Sequence, residues 1–164
     1  MADAGLFQLM LPKSVGGQEL SPLEAFEVVE RVSMADGSAG WCSMIATGVS
    51  LIAAWLPPEV LRDMASNPAG LRGAGSLRPN GKAWPVDGGY RMHRSYDFAS
   101  GISHADWIYC PCFIMDGDDV AKNEAGAPDV GAMWIPADQA QVVDTWSVVG
   151  MRGTGSHDFI VEDV

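Results

Sequence analysis

The hydrophobic pattern before about residue 70 is that of helices. The segment beginning "SPLE" has an N-cap serine at Ser21, a proline at the first helical position and Glu24 three residues after the cap, which is the arrangement of a capping box. Apolar residues then recur at helical spacing, at Leu23, Phe26, Val29 and Val32. This spacing predicts a helix with one apolar face.

Two further helices are predicted before the pattern changes. The sequence "ADGS" ends the first helix, and Ser38 is expected to cap the second, which carries the apolar segment from Trp41 to Leu56. That segment falls short of the roughly 20 residues needed to cross a bilayer, so we predict a buried helix. The sequence "PPEVLRDM" predicts a third, short helix with proline at its start.

After residue 70 the pattern changes to strands separated by turns. The β-rich segments are "LRGAGSL", "GYRMHRSYDFAS", "DWIYCPCFIMD" and "GAMWIPA", and a glycine-rich loop enters a last strand in "GMRGTGSHDFIVEDV". The intervening segments are rich in turn-forming residues. We therefore predict an α+β fold, with an N-terminal helical part over residues 1–69 and a mainly antiparallel β-barrel or sheet over residues 70–164.

Composition narrows the classes of partner. The chain has 164 residues, a net charge of −11 and ten Lys and Arg residues that form no basic run. Because nucleic acids and anionic membranes bind clustered positive charge, both are poor partners for this sequence, and a small-molecule ligand is favoured. The cysteines are Cys42, Cys110 and Cys112, an odd count that indicates reduced, buried thiols in a cytosolic protein.

One arrangement of residues could hold a metal ion. His104 and Asp106, with His157 some fifty residues later, have the order of a 2-His-1-carboxylate iron site. In a chain with three histidines and 21 acidic residues such a match arises easily by chance. Turn, cap and surface-pair roles account for the three residues equally simply, so we predict no metal site.

Three segments in the strand-rich part are dominated by small residues. They are "GAGSL" at residues 73–77, "FASG" at residues 98–101 and "RGTGS" at residues 152–156. Small side chains, exposed backbone N–H groups and hydroxyls are what a flat, mostly apolar ring such as an isoalloxazine needs for close approach. Tight packing in a twisted barrel without any ligand would use the same residues, and the residues alone do not separate these two interpretations.

Four motifs together resemble a known family. These are "LPKSVGG" near the start, "DGSAGW" before the apolar helix, "DGGYR" followed by "FASGISHADW", and "GMRGTGSHDFIVEDV". In this order, and over almost the whole chain, they resemble the N-terminal and middle domains of the acyl-CoA dehydrogenase superfamily. The resemblance is stronger to its branch of flavin-dependent monooxygenases, which hydroxylate phenols and steroid catabolites.

The resemblance implies a cofactor, partners and site residues. The cofactor would be FAD or FMN, used as reduced flavin that a flavin reductase supplies, in a homo-oligomer acting on a small-molecule substrate. Ser100 would be catalytic, beside the N5 and C4a atoms of the flavin. The flavin would also contact Phe98, Ala99, Gly101, Arg152, Thr154 and Ser156, although a turn-forming role suits the last three equally well. The substrate would contact Trp41, Ser50 and Ser76.

Two features depart from the family pattern. Tyr96 stands where the family commonly has Trp, a change that still allows an aromatic ring to stack. The C-terminal four-helix domain of the family is absent from these residues, so we expect the sequence to be a fragment. An acyl-CoA dehydrogenase-type oxidoreductase is therefore an alternative to the monooxygenase, and a truncated, non-catalytic binding or interaction module is another.

Overall fold

The first helix begins at the predicted capping box. The computed structural model describes all 164 residues, and α1 spans Pro22–Ala35. The Ser21 side chain accepts from the Glu24 N–H while the Glu24 carboxylate accepts from the Ser21 N–H, which confirms the predicted cap. The predicted apolar face is only partly buried within this chain, because Val29 and Val32 are half-buried whereas Leu23 and Phe26 remain 68% and 63% exposed. Helix α1 packs on the second helix, and its one buried residue is Ala25.

The second helix, α2, spans Gly37–Ala53, and the third, α3, spans Pro58–Met64. The cap of α2 is the Asp36 carboxylate, which accepts from the Ala39 N–H at 2.8 Å, so the predicted cap at Ser38 is wrong. Eight of the 17 residues of α2 are buried and five are exposed, so the helix buries one face rather than its whole surface. No helix combines the length and hydrophobicity that a membrane crossing requires.

Eight strands follow the helices and form one mixed, curled sheet. They are β1 (Gly73–Gly75), β2 (Gly81–Val86), β3 (Gly89–Ala99), β4 (Trp107–Asp116), β5 (Asp119–Val120), β6 (Val130–Pro136), β7 (Gln141–Val143) and β8 (His157–Glu162). Strand β4 pairs antiparallel with β6 on one edge. On its other edge it pairs in parallel first with β1 and then with β2. Strands β3, β8 and β7 continue the sheet antiparallel from β2. The predicted α+β fold with a mainly antiparallel sheet is confirmed, and the division of the chain at residue 70 stays a prediction.

The main core lies inside the curl of the sheet. Tyr96 stacks on Phe159 with their ring centroids 4.8 Å apart and their planes within 5°, so an aromatic ring at position 96 does stack. Cys110 and Cys112 are fully buried free thiols on the same strand, as predicted, and burial raises the pKa of both. The Tyr96 hydroxyl lies 2.9 Å from the Cys112 sulfur, so this buried hydroxyl has a hydrogen-bond partner within the core.

Helix α2 lies directly against the first strand. A Cβ atom added at Gly73 would lie 2.2 Å from a methyl group of Val49, so the helix and strand approach as closely as they do only because residue 73 is glycine. A second buried cluster, formed by Leu11, Ala53, Leu61, Met64 and Leu71, joins the N-terminal segment to the helices. The helical part and the sheet therefore form one continuous structure, with α2 as the wall that faces the strands.

Candidate functional site

A bulge at the end of β3 turns one aromatic side chain outward. The pairing of β3 with β8 shifts register between Tyr96 and Ala99, and Phe98 within the shift has φ of 58°. A left-handed conformation costs a non-glycine residue about 1–2 kcal/mol. The result is a Phe98 ring that is 61% exposed and meets Trp146 edge-on at 6.2 Å. Such strain is typical of a binding site, where the surrounding structure holds it in place.

Four side chains from three separate segments form a continuous hydrogen-bonded chain beside the bulge. The Trp41 indole N–H on α2 donates to the Ser100 hydroxyl at 2.8 Å. The Ser100 and Ser156 hydroxyl oxygens are 2.7 Å apart, and the Ser156 and Thr154 oxygens are also 2.7 Å apart. Thr154 in turn donates to the Met151 carbonyl at 2.9 Å. The structure thus brings the central helix, the "FASG" segment and the "RGTGS" segment together.

These groups line a cavity of about 520 Å³. This volume is within the range typical of small-molecule sites, roughly 300–1,000 Å³. The sequence-predicted residues in its lining are Trp41, Ser76, Phe98, Ser100, Thr154 and Ser156. They come from all three small-residue segments and from α2, so the cavity is where the predicted flat ligand would lie.

Four predicted site residues lie outside the lining. Ser50 is fully buried on the opposite face of α2 and donates to the Ala46 carbonyl at 2.9 Å. Ala99 is fully buried behind the bulge, and Arg152 is exposed at the start of a short 3₁₀ turn. Gly101 is buried and its N–H donates to the Thr154 carbonyl at 2.8 Å, which ties "FASG" to "RGTGS". Ala99 and Gly101 therefore shape the wall without lining the cavity.

Several lining residues were not predicted from the sequence. Ile45 follows Trp41 by one helical turn, and that spacing could have identified it. Trp146 and Met151 come from the loop before "RGTGS", and Met151 has φ of 57°, a second non-glycine residue in the left-handed region at this cavity. Arg78 and Asp97 form an ion pair at 3.4 Å in the lining, in which Arg78 is exposed and Asp97 is half-buried. The lining is otherwise mostly apolar.

The residues considered for a metal site have other partners. Asp106 accepts two hydrogen bonds from the Arg72 guanidinium and one from the Asn67 amide. The His157 ring lies 3.2 Å from Asp144. Burial, with the charge of Arg72 as the second cause, lowers the pKa of His104. No group of three His, Cys, Asp or Glu side chains is arranged to hold a metal ion.

Comparison with known proteins identifies the relatives of this chain. Residues 1–64 match the family model of the acyl-CoA dehydrogenase N-terminal domain. The chain is 35% identical over 160 residues to indole-3-acetate monooxygenase of Pseudomonas putida, which aligns 98% of this chain with 39% of that protein. It is 33% identical over 165 residues to the flavin-dependent monooxygenase oxygenase subunit HsaA of Rhodococcus jostii, aligning all of this chain with 41% of that protein.

The fold gives the same result. The structure superposes with a TM-score of 0.87 and 30% identity on XiaF from Streptomyces sp., solved in complex with FADH2 and glycerol, over 99% of this chain and 40% of that one. The chain spans about two fifths of the length of the relatives it matches. The predicted resemblance to the acyl-CoA dehydrogenase superfamily is therefore confirmed, and the chain is similar in sequence and fold to the N-terminal part of its flavin-dependent monooxygenases.

Proposed function

We propose that this chain forms the flavin-binding wall of the oxygenase component of a two-component monooxygenase, which hydroxylates an aromatic or polycyclic substrate with reduced flavin. The observation that carries the proposal is the cavity in which "FASG", "RGTGS" and α2 meet through one hydrogen-bonded chain. The names of the relatives support it, since they are flavin-dependent monooxygenases or oxygenase subunits.

The residues of the cavity fit an isoalloxazine ring. Phe98 and Trp146 offer aromatic surface to a planar ring, and Ser100 and Ser156 offer hydroxyls to its polar edge. We propose these four as the residues that would hold the flavin, with Ser100 closest to its reactive centre and Thr154 supporting Ser156 from behind. When bound, reduced flavin supplies the electrons that activate dioxygen for oxygen transfer. The lining does not distinguish FMN from FAD.

The remaining lining residues would bind the substrate and exclude water. The Trp41 ring is 43% exposed, and its indole N–H is held by Ser100, so its orientation is set before a substrate arrives. An ordered aromatic ring beside apolar Ile45 suits stacking with an aromatic substrate. Ser76 stands on the strand side of the same cavity and would contact a polar group of the substrate. Ser50, buried elsewhere, would act only through the packing of α2.

Acyl-thioester dehydrogenation is the alternative reaction on the same scaffold. It requires a base that removes a proton from the substrate. The carboxylate in the lining is that of Asp97, which receives hydrogen bonds from Arg78 and Asn80, both at 3.4 Å. This carboxylate is already engaged by a cation and an amide, so it is not free to contact a substrate, and this arrangement favours oxygenation.

The test is an anaerobic titration of the purified protein with oxidised and reduced FMN and FAD, followed by absorbance and tryptophan fluorescence. We expect binding tighter than the high micromolar range for at least one flavin. Ser100→Ala should weaken the binding of reduced flavin by about tenfold, the equivalent of one good hydrogen bond. Thr47→Val is the matched control, because Thr47 is a buried hydroxyl on α2 that bonds the Ser43 carbonyl away from the cavity. Absence of binding by every flavin would refute the proposal.

The proposed two-component monooxygenase implies specific protein partners. A separate flavin reductase would deliver the reduced cofactor, and the subunits would form a homo-oligomer. Three buried free thiols support a reducing compartment, the cytoplasm. Native mass spectrometry tests the assembly, since a monomer that binds neither flavin nor a partner protein would favour a degraded fragment over both the oxygenase and the truncated binding module.

A further inference from the structure

The direction of every hydrogen bond in the chain that runs from Trp41 to Met151 is determined by its two ends. The indole N–H of Trp41 can only donate, and the Met151 carbonyl can only accept. Because Thr154 donates its single hydroxyl proton to that carbonyl, Ser156 must donate to Thr154. Ser156 then has no proton left, so Ser100 must donate to Ser156.

This direction decides what Ser100 can offer to a ligand. A hydroxyl has one proton and two lone pairs. The proton of Ser100 is committed to Ser156, and one lone pair receives the Trp41 N–H. One lone pair remains at a residue that lines the cavity. Ser100 therefore presents only a hydrogen-bond acceptor, and an atom bound against it must bring a hydrogen of its own.

We propose that Thr154 is a positioning residue that sets the polarity of Ser100 and thereby selects the reduced state of the flavin; this inference rests on the function proposed above. The N5 atom of a flavin carries a hydrogen when the ring is reduced and is a bare acceptor when it is oxidised. The lone pair of Ser100 would accept a hydrogen bond from N5 of a reduced flavin. With an oxidised flavin, the Ser100 oxygen and N5 would both be acceptors and would repel each other. Thr154 lies one hydrogen bond further from Ser100 than Ser156 does. It would exert this preference through Ser156, without contacting N5.

The structure allows Thr154 to be changed with little other disturbance. The Met151 carbonyl also accepts from the Trp146 indole N–H at 3.0 Å and from the Thr154 backbone N–H at 3.2 Å. It therefore keeps two donors when the Thr154 hydroxyl is removed, and valine has nearly the shape of threonine. In Thr154→Val the Ser156 proton has no acceptor beyond Ser100, so it can turn toward Ser100 and release the Ser100 proton into the cavity.

The experiment measures the ratio of the dissociation constants of oxidised and reduced flavin by anaerobic titration of the whole protein. We expect wild type to bind reduced flavin about tenfold more tightly, as one hydrogen bond gained or lost would produce. Thr154→Val should lower this ratio toward one, chiefly by tighter binding of oxidised flavin. Ser156→Ala, which frees the Ser100 proton by a different route, should do the same. Thr154→Ser, which keeps the hydroxyl, and the control Thr47→Val should retain the wild-type ratio.

The outcomes separate this inference from the proposed function. If wild type binds both redox states equally, or if Thr154→Val keeps the full preference, the inference is overturned while flavin binding itself stands. If neither state binds, the inference and the proposed function both fail. A loss of affinity for both states by the same factor in Thr154→Val would indicate a purely structural role, and would also overturn the inference.

Discussion

Replacing Trp41 by phenylalanine tests the link between the central helix and the "FASG" segment. The change removes the indole N–H that donates to the Ser100 hydroxyl at 2.8 Å and keeps an aromatic ring at the same position. Since Trp41 is 43% exposed, little apolar burial is lost with the smaller ring. The hydrogen bond is the main interaction that the substitution deletes.

The expected cost follows from that one bond. A hydrogen bond between neutral groups contributes about 0.5–1.5 kcal/mol to the free energy of unfolding. In a domain of this size, each kcal/mol lowers the melting temperature by about 2–4 °C. Trp41→Phe should therefore lower the free energy of unfolding by about 1 kcal/mol. Trp55→Phe is the control, because Trp55 is 89% exposed and its replacement should change stability by less than about 0.5 kcal/mol.

Urea unfolding of a double-mutant cycle isolates the interaction. The cycle combines Trp41→Phe with Ser100→Ala and compares the double variant with the sum of the single ones. We expect a coupling energy of about 0.5–1.5 kcal/mol between the two positions. Additivity within about 0.3 kcal/mol, the scatter found for independent sites, would refute the hydrogen bond and with it the first link of the chain.

Three further predictions concern the stability of the scaffold. Asp106→Asn should lower the free energy of unfolding by about 1–2 kcal/mol in urea, because it weakens a partly exposed charged pair with Arg72. Burial lowers the pKa of His104 below its ordinary 6.5, so the unfolded chain binds the proton more readily than the folded one. The free energy of unfolding should therefore decline as the pH falls below about 6.5. His104→Gln should reduce that decline, which urea midpoints at about pH 5 and pH 8 would measure. Gly73→Ala should cost about 1–3 kcal/mol through its clash with a valine methyl group on α2, whereas Gly48→Ala, with open space around it, should stabilise by about 0.5–1 kcal/mol in the same assay.

The elements that could be predicted are those specified by local chemistry. The capping box at Ser21 and Glu24 involves groups three residues apart, and the sequence alone determines it. Strand β2 was not predicted, because Pro85 and a short apolar run obscure it, and its pairing with β4 joins segments about thirty residues apart. The parallel pairing of β1 and β2 with β4 likewise depends on tertiary packing that local patterns do not encode.

The site shows the same division. Ser100, Thr154 and Ser156 were predicted from motifs, and the structure places all three in one hydrogen-bonded chain. Ser50 lies nine residues after Trp41, about two and a half helical turns, so the two side chains point to opposite faces of α2. Helical periodicity could have excluded Ser50 from the lining. Trp146 could not have been predicted, because an irregular loop brings it to the cavity.

The most direct test of the central claim is amide hydrogen–deuterium exchange of the protein with and without reduced flavin, kept anaerobic. We predict slower exchange on flavin binding in residues 97–101 and 151–156, with the distant hairpin at residues 116–119 unchanged. Protection confined to other segments, with these two exchanging as in the free protein, would contradict the claim that the flavin binds against Ser100.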